Sequence, residues 1–94
     1  MTRPIEVCLV TSFACKACEK VKDRLHRLQA EFPELSVSEL DIAGKEGTAI
    51  ALRYKLVGLP GILVNGRMAL AGDVSEPLLR ERLAQARRIQ AEGA

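Results

Sequence analysis

Ile5-Glu6-Val7-Cys8-Leu9-Val10-Thr11-Ser12-Phe13-Ala14-Cys15-Lys16-Ala17-Cys18 is the stretch on which the reading of this chain turns. Its first half, Ile5 to Thr11, is rich in apolar and β-branched residues and predicts a strand buried on both faces. Ser12-Phe13-Ala14 is a short connection expected to cap the helix that follows. From Cys15 onward the apolar residues Val21, Leu25, Leu28 and Phe32 recur at three- and four-residue spacing, so one face of a helix is apolar, and Pro33 ends it. A pair of cysteines three residues apart therefore sits where a strand hands over to a helix.

Working outward, Leu35 to Ile42 alternates weakly and predicts a second strand. Gly44 and Gly47 follow, and Thr48 is the expected cap of a short helix through about Tyr54. Gly58-Leu59-Pro60-Gly61 breaks the chain sharply. Ile62 to Val64 then predicts a strand, Asn65-Gly66 a two-residue hairpin turn, and Arg67 to Ala71 the returning strand. Ser75 caps a last helix with Pro77 in its first turn; Leu79, Leu83 and Ala86 are its buried face, and fraying is expected after Ile89. The order is β-α-β-α-β-β-α. Strands joined through a helix run parallel with a right-handed crossover, and the hairpin adds an antiparallel edge. The expected class is α/β, a four-stranded mixed sheet with three flanking helices.

The 94 residues suffice for one domain, read here as spanning 1–94. Hydrophobic residues make up 48% of the chain, which argues for a packed core rather than disorder. Fourteen basic and twelve acidic residues leave a net charge of +2, too even for a nucleic-acid or anionic-membrane surface. The few aromatics (Phe13, Phe32, Tyr54) supply no base-stacking platform. Val7 to Val10 is too short an apolar run for an export signal or a membrane span, so the cytoplasm is the expected compartment; a monomer is expected. In that compartment thiols stay reduced, and a close cysteine pair points to catalysis or metal binding.

Position gives the pair its chemistry. At the start of a helix, side chains at i and i+3 are near enough to form a disulfide with little backbone movement. The unpaired N–H groups and the positive dipole end stabilise a thiolate at Cys15, and Lys16 adds a positive charge. Such a thiolate attacks a substrate disulfide, and a second thiol resolves the mixed disulfide. Cys15, nearer the helix tip, is the expected nucleophile and Cys18 the resolving thiol. The rival reading takes the same pair as a metal-binding module, a copper chaperone or a thiolate-bound cluster, since soft thiolates select such metals. A zinc site would need about four ligands, and besides the pair the chain offers only Cys8 and His26. His26 lies beside the helix stripe and reads as a solvated residue. Cys8, mid-strand, reads as buried core filler. No cofactor and no metal is expected.

The chain resembles the thioredoxin superfamily, most closely its short, glutaredoxin-sized branch, over about Ile5 to Ala86. Beyond the cysteine motif, Tyr54-Lys55-Leu56-Val57-Gly58-Leu59-Pro60 is similar to the tyrosine-to-proline run of thioredoxins, and Ile62-Leu63-Val64-Asn65-Gly66 with Ala71-Gly72 is similar to the short branch. The resemblance implies a thioredoxin-like fold and a thiol–disulfide oxidoreductase. It implies that Pro60 is a cis-proline facing Cys15 and Cys18, and that a substrate strand pairs with the Leu59 backbone. Gly61, where thioredoxins commonly carry threonine, alanine or serine, is expected to leave open space beside the disulfide. The implied partners are disulfide-containing proteins and an electron donor, either a reductase or glutathione. Ala14 stands where thioredoxins usually have tryptophan, and Lys16-Ala17 where they have Gly-Pro. Of the glutathione-binding turn of glutaredoxins, only Gly72-Asp73 is present.

Overall fold

The computed structural model describes residues 3–93. Seven elements follow one another: β1 (Ile5–Thr11), α1 (Lys16–Leu28), β2 (Leu35–Asp41), α2 (Lys45–Arg53), β3 (Gly61–Val64), β4 (Arg67–Ala71) and α3 (Glu76–Glu92). The strands form one mixed sheet in the order β2-β1-β3-β4. β1 and β2 are parallel, with Leu9 opposite Glu39 and Thr11 opposite Asp41. β3 runs antiparallel to β1, with Val10 opposite Gly61. The expectation that helix-joined strands run parallel therefore holds for β1 and β2 but not for β2 and β3, which α2 connects across β1 and which are not neighbours. β4 returns antiparallel along β3, with a register shift between Ile62 and Leu63. Asn65 and Gly66 both take positive φ (51° and 84°), the backbone that a tight Asn-Gly hairpin requires.

The core lies on one face of the sheet. Ile5, Val7 and Leu9 of β1 and Ile62 of β3 meet Val21, Leu25 and Leu28 of α1 and Leu79, Leu83 and Ala86 of α3. Alternation along β1 sends Glu6, Cys8 and Val10 to the other face. There Val10 is fully buried, Cys8 half-buried and Glu6 exposed. β1 is thus not buried along its length on both faces, and Cys8 is not full core. It borders a groove of about 400 Å³ with Glu6, Ser36, Ser38 and Leu63. The apolar run of β1 concealed this because its composition does not say how far the covering layer reaches.

Other boundaries differ locally. α1 stops at Leu28, and Phe32 reaches the core from the following turn, its N–H donating to the Leu28 carbonyl at 2.8 Å. The apolar spacing continued past the helix because a turn can bury the next residue as well. α2 begins at Lys45 after Gly44, not at Thr48, whose hydroxyl donates to the Ile42 carbonyl at 2.7 Å. Gly47 sits against β2, where a Cβ would overlap the Asp41 carbonyl, so the helix packs close only because that residue is glycine. α3 continues to Glu92, past the point where fraying was expected. Ser75 caps it through its hydroxyl, which accepts the Leu78 N–H.

Candidate active site

The carboxyl end of β1 delivers the chain to the cysteines. Ala14 adopts a left-handed backbone with φ 57°, uncommon for a residue with a Cβ, and turns the chain into α1. Cys15 itself is the N-cap, with extended backbone, and its Sγ accepts the Cys18 N–H at 3.1 Å. The sequence placed the cap within Ser12–Ala14; the sulfur takes that role instead. A helix N-terminal N–H aimed at a sulfur is the local electrostatics that favours a thiolate there. Cys15 and Cys18 are joined in a disulfide, their Cα atoms 5.2 Å apart. Cys18 is 5% exposed and Cys15 half-buried, so Cys15 is the more accessible residue of the pair.

β3 brings the second part of the site to the same end. Because Gly61 pairs with Val10, the segment just before β3 lies beside the last residues of β1. The Leu59–Pro60 peptide is cis, Pro60 is buried, and its carbonyl accepts the Gly72 N–H at 2.9 Å. Leu59 is half-buried, and among the described residues no backbone hydrogen bond engages it. The space at Gly61 is not open: a Cβ there would meet Leu56 Cδ2 at 2.9 Å and Met68 Cε at 3.3 Å. Those two side chains occupy the space beside Gly61. Phe13 and Val57, one in each of the two segments at this end, are 97% and 100% exposed.

Sequence reasoning missed two charged residues. A cleft of about 160 Å³ is bordered by Ser12, Cys15, Cys18, Glu19, Lys22 and Glu39. Lys22 Nζ lies 2.9 Å from Glu39 Oε2, and this hydrogen bond is the main cause holding the lysine above its ordinary pKa. Lys22 was in principle detectable, one turn after Cys18 on the same helix. Glu39 was not, because its approach depends on the parallel register of β1 and β2. His26 is exposed and Cys8 lies on a different groove; neither joins the cysteine pair. Among the described residues no group of three or more His, Cys, Asp or Glu side chains is arranged to hold a metal ion. No helix among them is long and apolar enough to cross a membrane.

A four-stranded mixed sheet with helices on both sides and a cysteine pair opening α1 defines a thioredoxin-like α/β domain. Solved structures bear this out. Thioredoxin O2 of Arabidopsis thaliana in its oxidised state superposes with a TM-score of 0.67 at 16% identity, over 92% of this chain and 80% of that one. The germline-specific thioredoxin Deadhead of Drosophila melanogaster gives 0.66 at 22% identity, over 87% and 80%. A Fasciola hepatica thioredoxin gives 0.64 at 20%, again over 87% and 80%. At these identities the likeness establishes the fold. No protein-family model matches the sequence, and no curated protein matches it.

Proposed function

We propose that this protein is a dithiol–disulfide oxidoreductase in which Cys15 attacks and Cys18 resolves. The observation that carries the reading is the Cys15 sulfur, seated as the N-cap of α1 and accepting the Cys18 N–H, within disulfide reach of Cys18. In the reduced protein the Cys15 thiolate attacks one sulfur of a substrate disulfide. The substrate S–S bond breaks, its leaving sulfur takes up a proton, and a mixed disulfide forms at Cys15. Cys18 then loses its proton and attacks the Cys15 sulfur, releasing the second substrate sulfur as a thiol. Two electrons and two protons pass from the dithiol to the substrate. A second dithiol, or two glutathione thiols, must return them before the next cycle.

In this reading Leu59, Pro60 and Gly61 form the substrate-binding segment. The Leu59 backbone lies at the end of β3 nearest the cysteines, and an extended substrate adds to it as a strand. Holding the target disulfide in line with Cys15 is then a matter of positioning. The substrates are disulfide-containing proteins and the compartment is the cytoplasm, where a donor keeps the pair reduced. Four strands and three helices, with the tight Asn65-Gly66 hairpin, favour the short glutaredoxin-sized form of the fold.

The test is reduction of insulin disulfides with dithiothreitol as donor, comparing the parent with Cys15→Ser and Cys18→Ser, beside metal analysis of freshly purified protein. Turnover lost in Cys15→Ser, with a trapped mixed disulfide in Cys18→Ser, supports the assignment. Stoichiometric copper, zinc or iron held by the two thiols in an inactive parent would instead favour the metal-binding module.

A further inference from the structure

The cysteine cleft holds one ion pair that the exchange chemistry does not consume. Lys22 stands four residues after Cys18 on α1, the spacing that puts two side chains on one helix face. Glu39 stands on β2 opposite Leu9, on the strand beside the one that leads into Cys15. The two meet at 2.9 Å and line the same 160 Å³ cleft as Cys15 and Cys18. Their side chains are 43% and 41% exposed, so the pair contributes little to stability, and its placement is the feature to explain. A surface ion pair has no packing reason to border a disulfide.

We infer that Lys22 and Glu39 set the thiolate stability, and with it the redox poise, of the Cys15–Cys18 pair: Lys22 supplies the positive charge acting on the sulfurs, and Glu39 is the positioning residue that holds and partly neutralises it. This rests on the oxidoreductase reading of the same site. The physics is direct. A disulfide carries no charge, whereas the reduced pair carries a thiolate, so a neighbouring cation favours the reduced form and a neighbouring anion opposes it. Lys22 stays protonated throughout, because Glu39 chiefly, and Asp23 and Glu19 further, favour its charged form.

The other charges facing the cleft do not replace the pair. On α1, Glu19 borders the same space and opposes a thiolate, while Lys16 follows Cys15 directly at the helix start. On β2, Asp41 is engaged by the Ala43 N–H at 2.8 Å and does not line the cleft. The β1 end and the connection contribute Thr11 and Ser12, which are neutral. Lys22 is thus the cation bordering the cleft itself, and Glu39 is the group that decides how much of its charge the sulfurs feel.

Opposite signs make the proposal testable. Lys22→Met is expected to raise the pKa of the more acidic thiol by about half a unit, roughly threefold less thiolate at neutral pH, and to favour the disulfide. Glu39→Gln is expected to lower that pKa and favour the dithiol, the double variant to return near the parent, and Lys22→Arg to keep the parent value. Two readouts serve: alkylation rate against pH on reduced protein, and equilibration with a glutathione buffer, in which disulfide plus two glutathione thiols gives dithiol plus oxidised glutathione. Melting curves should be nearly superimposable. Shifts of the same sign in the two single variants, or shifts below about 0.2 unit in both, would overturn the inference. The thiol titration needs no turnover. Opposite shifts in a parent that reduces no substrate would therefore sink the oxidoreductase reading and leave the charge pair standing. Turnover without the shifts would do the reverse.

Discussion

The two faces of the sheet are held very differently. On one, α1 and α3 bury Val21, Leu25, Leu28, Leu79 and Leu83, none more than 2% exposed, against Ile5, Val7, Leu9 and Ile62. On that face ion pairs link α1 and the turn after it to α3 and the turn before it: Arg24 with Asp73, Arg27 with Glu76 at 2.9 Å, and Arg80 with Glu31 at 3.0 Å. On the other, α2 buries only Gly47 and leaves Leu52 75% exposed, and Cys8 borders an open groove. The difference separates duties. The cysteine pair opens α1, a helix fixed by the well-packed face, so its geometry is set by the most stable part of the molecule. The segment from Tyr54 to Pro60 reaches the same end with little burial: Val57 is fully exposed, and only Pro60 is buried.

The sharpest way to break this division is Cys15→Ser. Turnover should fall by at least about a thousandfold, since the nucleophile is removed, while the reduced protein keeps its urea midpoint within experimental error. A large loss of stability in the reduced state would show that the site is part of the scaffold rather than mounted on it. Next in size is Leu25→Ala, which empties the centre of the packed face. It should cost about 2–5 kcal/mol in urea unfolding, whereas Leu52→Ala on the α2 face should change stability by no more than about 0.5 kcal/mol. Equal costs at the two positions would erase the contrast.

Cys8→Ala probes the second face. The half-buried Cys8 lines the groove with Ser36 and Ser38 of β2 and Leu63 of β3, and does not border the cysteine cleft. Stability should change by about 1 kcal/mol or less, with insulin reduction within a few-fold of the parent. A loss matching that of Cys15→Ser would make Cys8 a third redox residue.

The smallest expected effect is on pH dependence. Arg87 grips Glu34 with two hydrogen bonds, at 2.6 and 2.8 Å, and stacks its guanidinium 4.3 Å from the centre of the Phe32 ring. The Glu34 side chain is 6% exposed, and the guanidinium holds its carboxyl below the ordinary carboxylate value. Because the folded pKa is depressed, this stabilisation is complete above the unfolded pKa of about 4.3 and is lost as pH falls through the folded value. Glu34→Gln should therefore lower the urea midpoint at pH 7, and the gap from the parent should close towards pH 3. A gap independent of pH would mean that the contact acts through packing of the Arg87 stem on Phe32.

Much of this was legible in the sequence for identifiable reasons. The Val21, Leu25, Leu28 stripe marked α1 because helical periodicity and burial coincide there, and Asn65-Gly66 marked the hairpin because its φ values are open to few residues. Boundaries failed where local and tertiary demands diverge. Thr48 has the chemistry of a cap, yet Gly47 must lie inside the helix for α2 to approach the Asp41 carbonyl. Phe32 continues the stripe of α1 from a turn, because burial, not helicity, set the spacing.

Sequence alone determined the order of elements, the class of fold and the placement of Cys15 and Cys18 at a strand-to-helix junction, since each depends on residues close together along the chain. Tertiary structure decided what surrounds that junction. Leu9 opposite Glu39 and Val10 opposite Gly61 are register facts, and a shift of one residue would turn every side chain of a strand to the other face. Through them Lys22 and Glu39 meet at the cysteine cleft, and the Leu59–Pro60 segment arrives from more than forty residues away. Such encounters depend on how strands pair in space, which the pattern of one strand cannot specify.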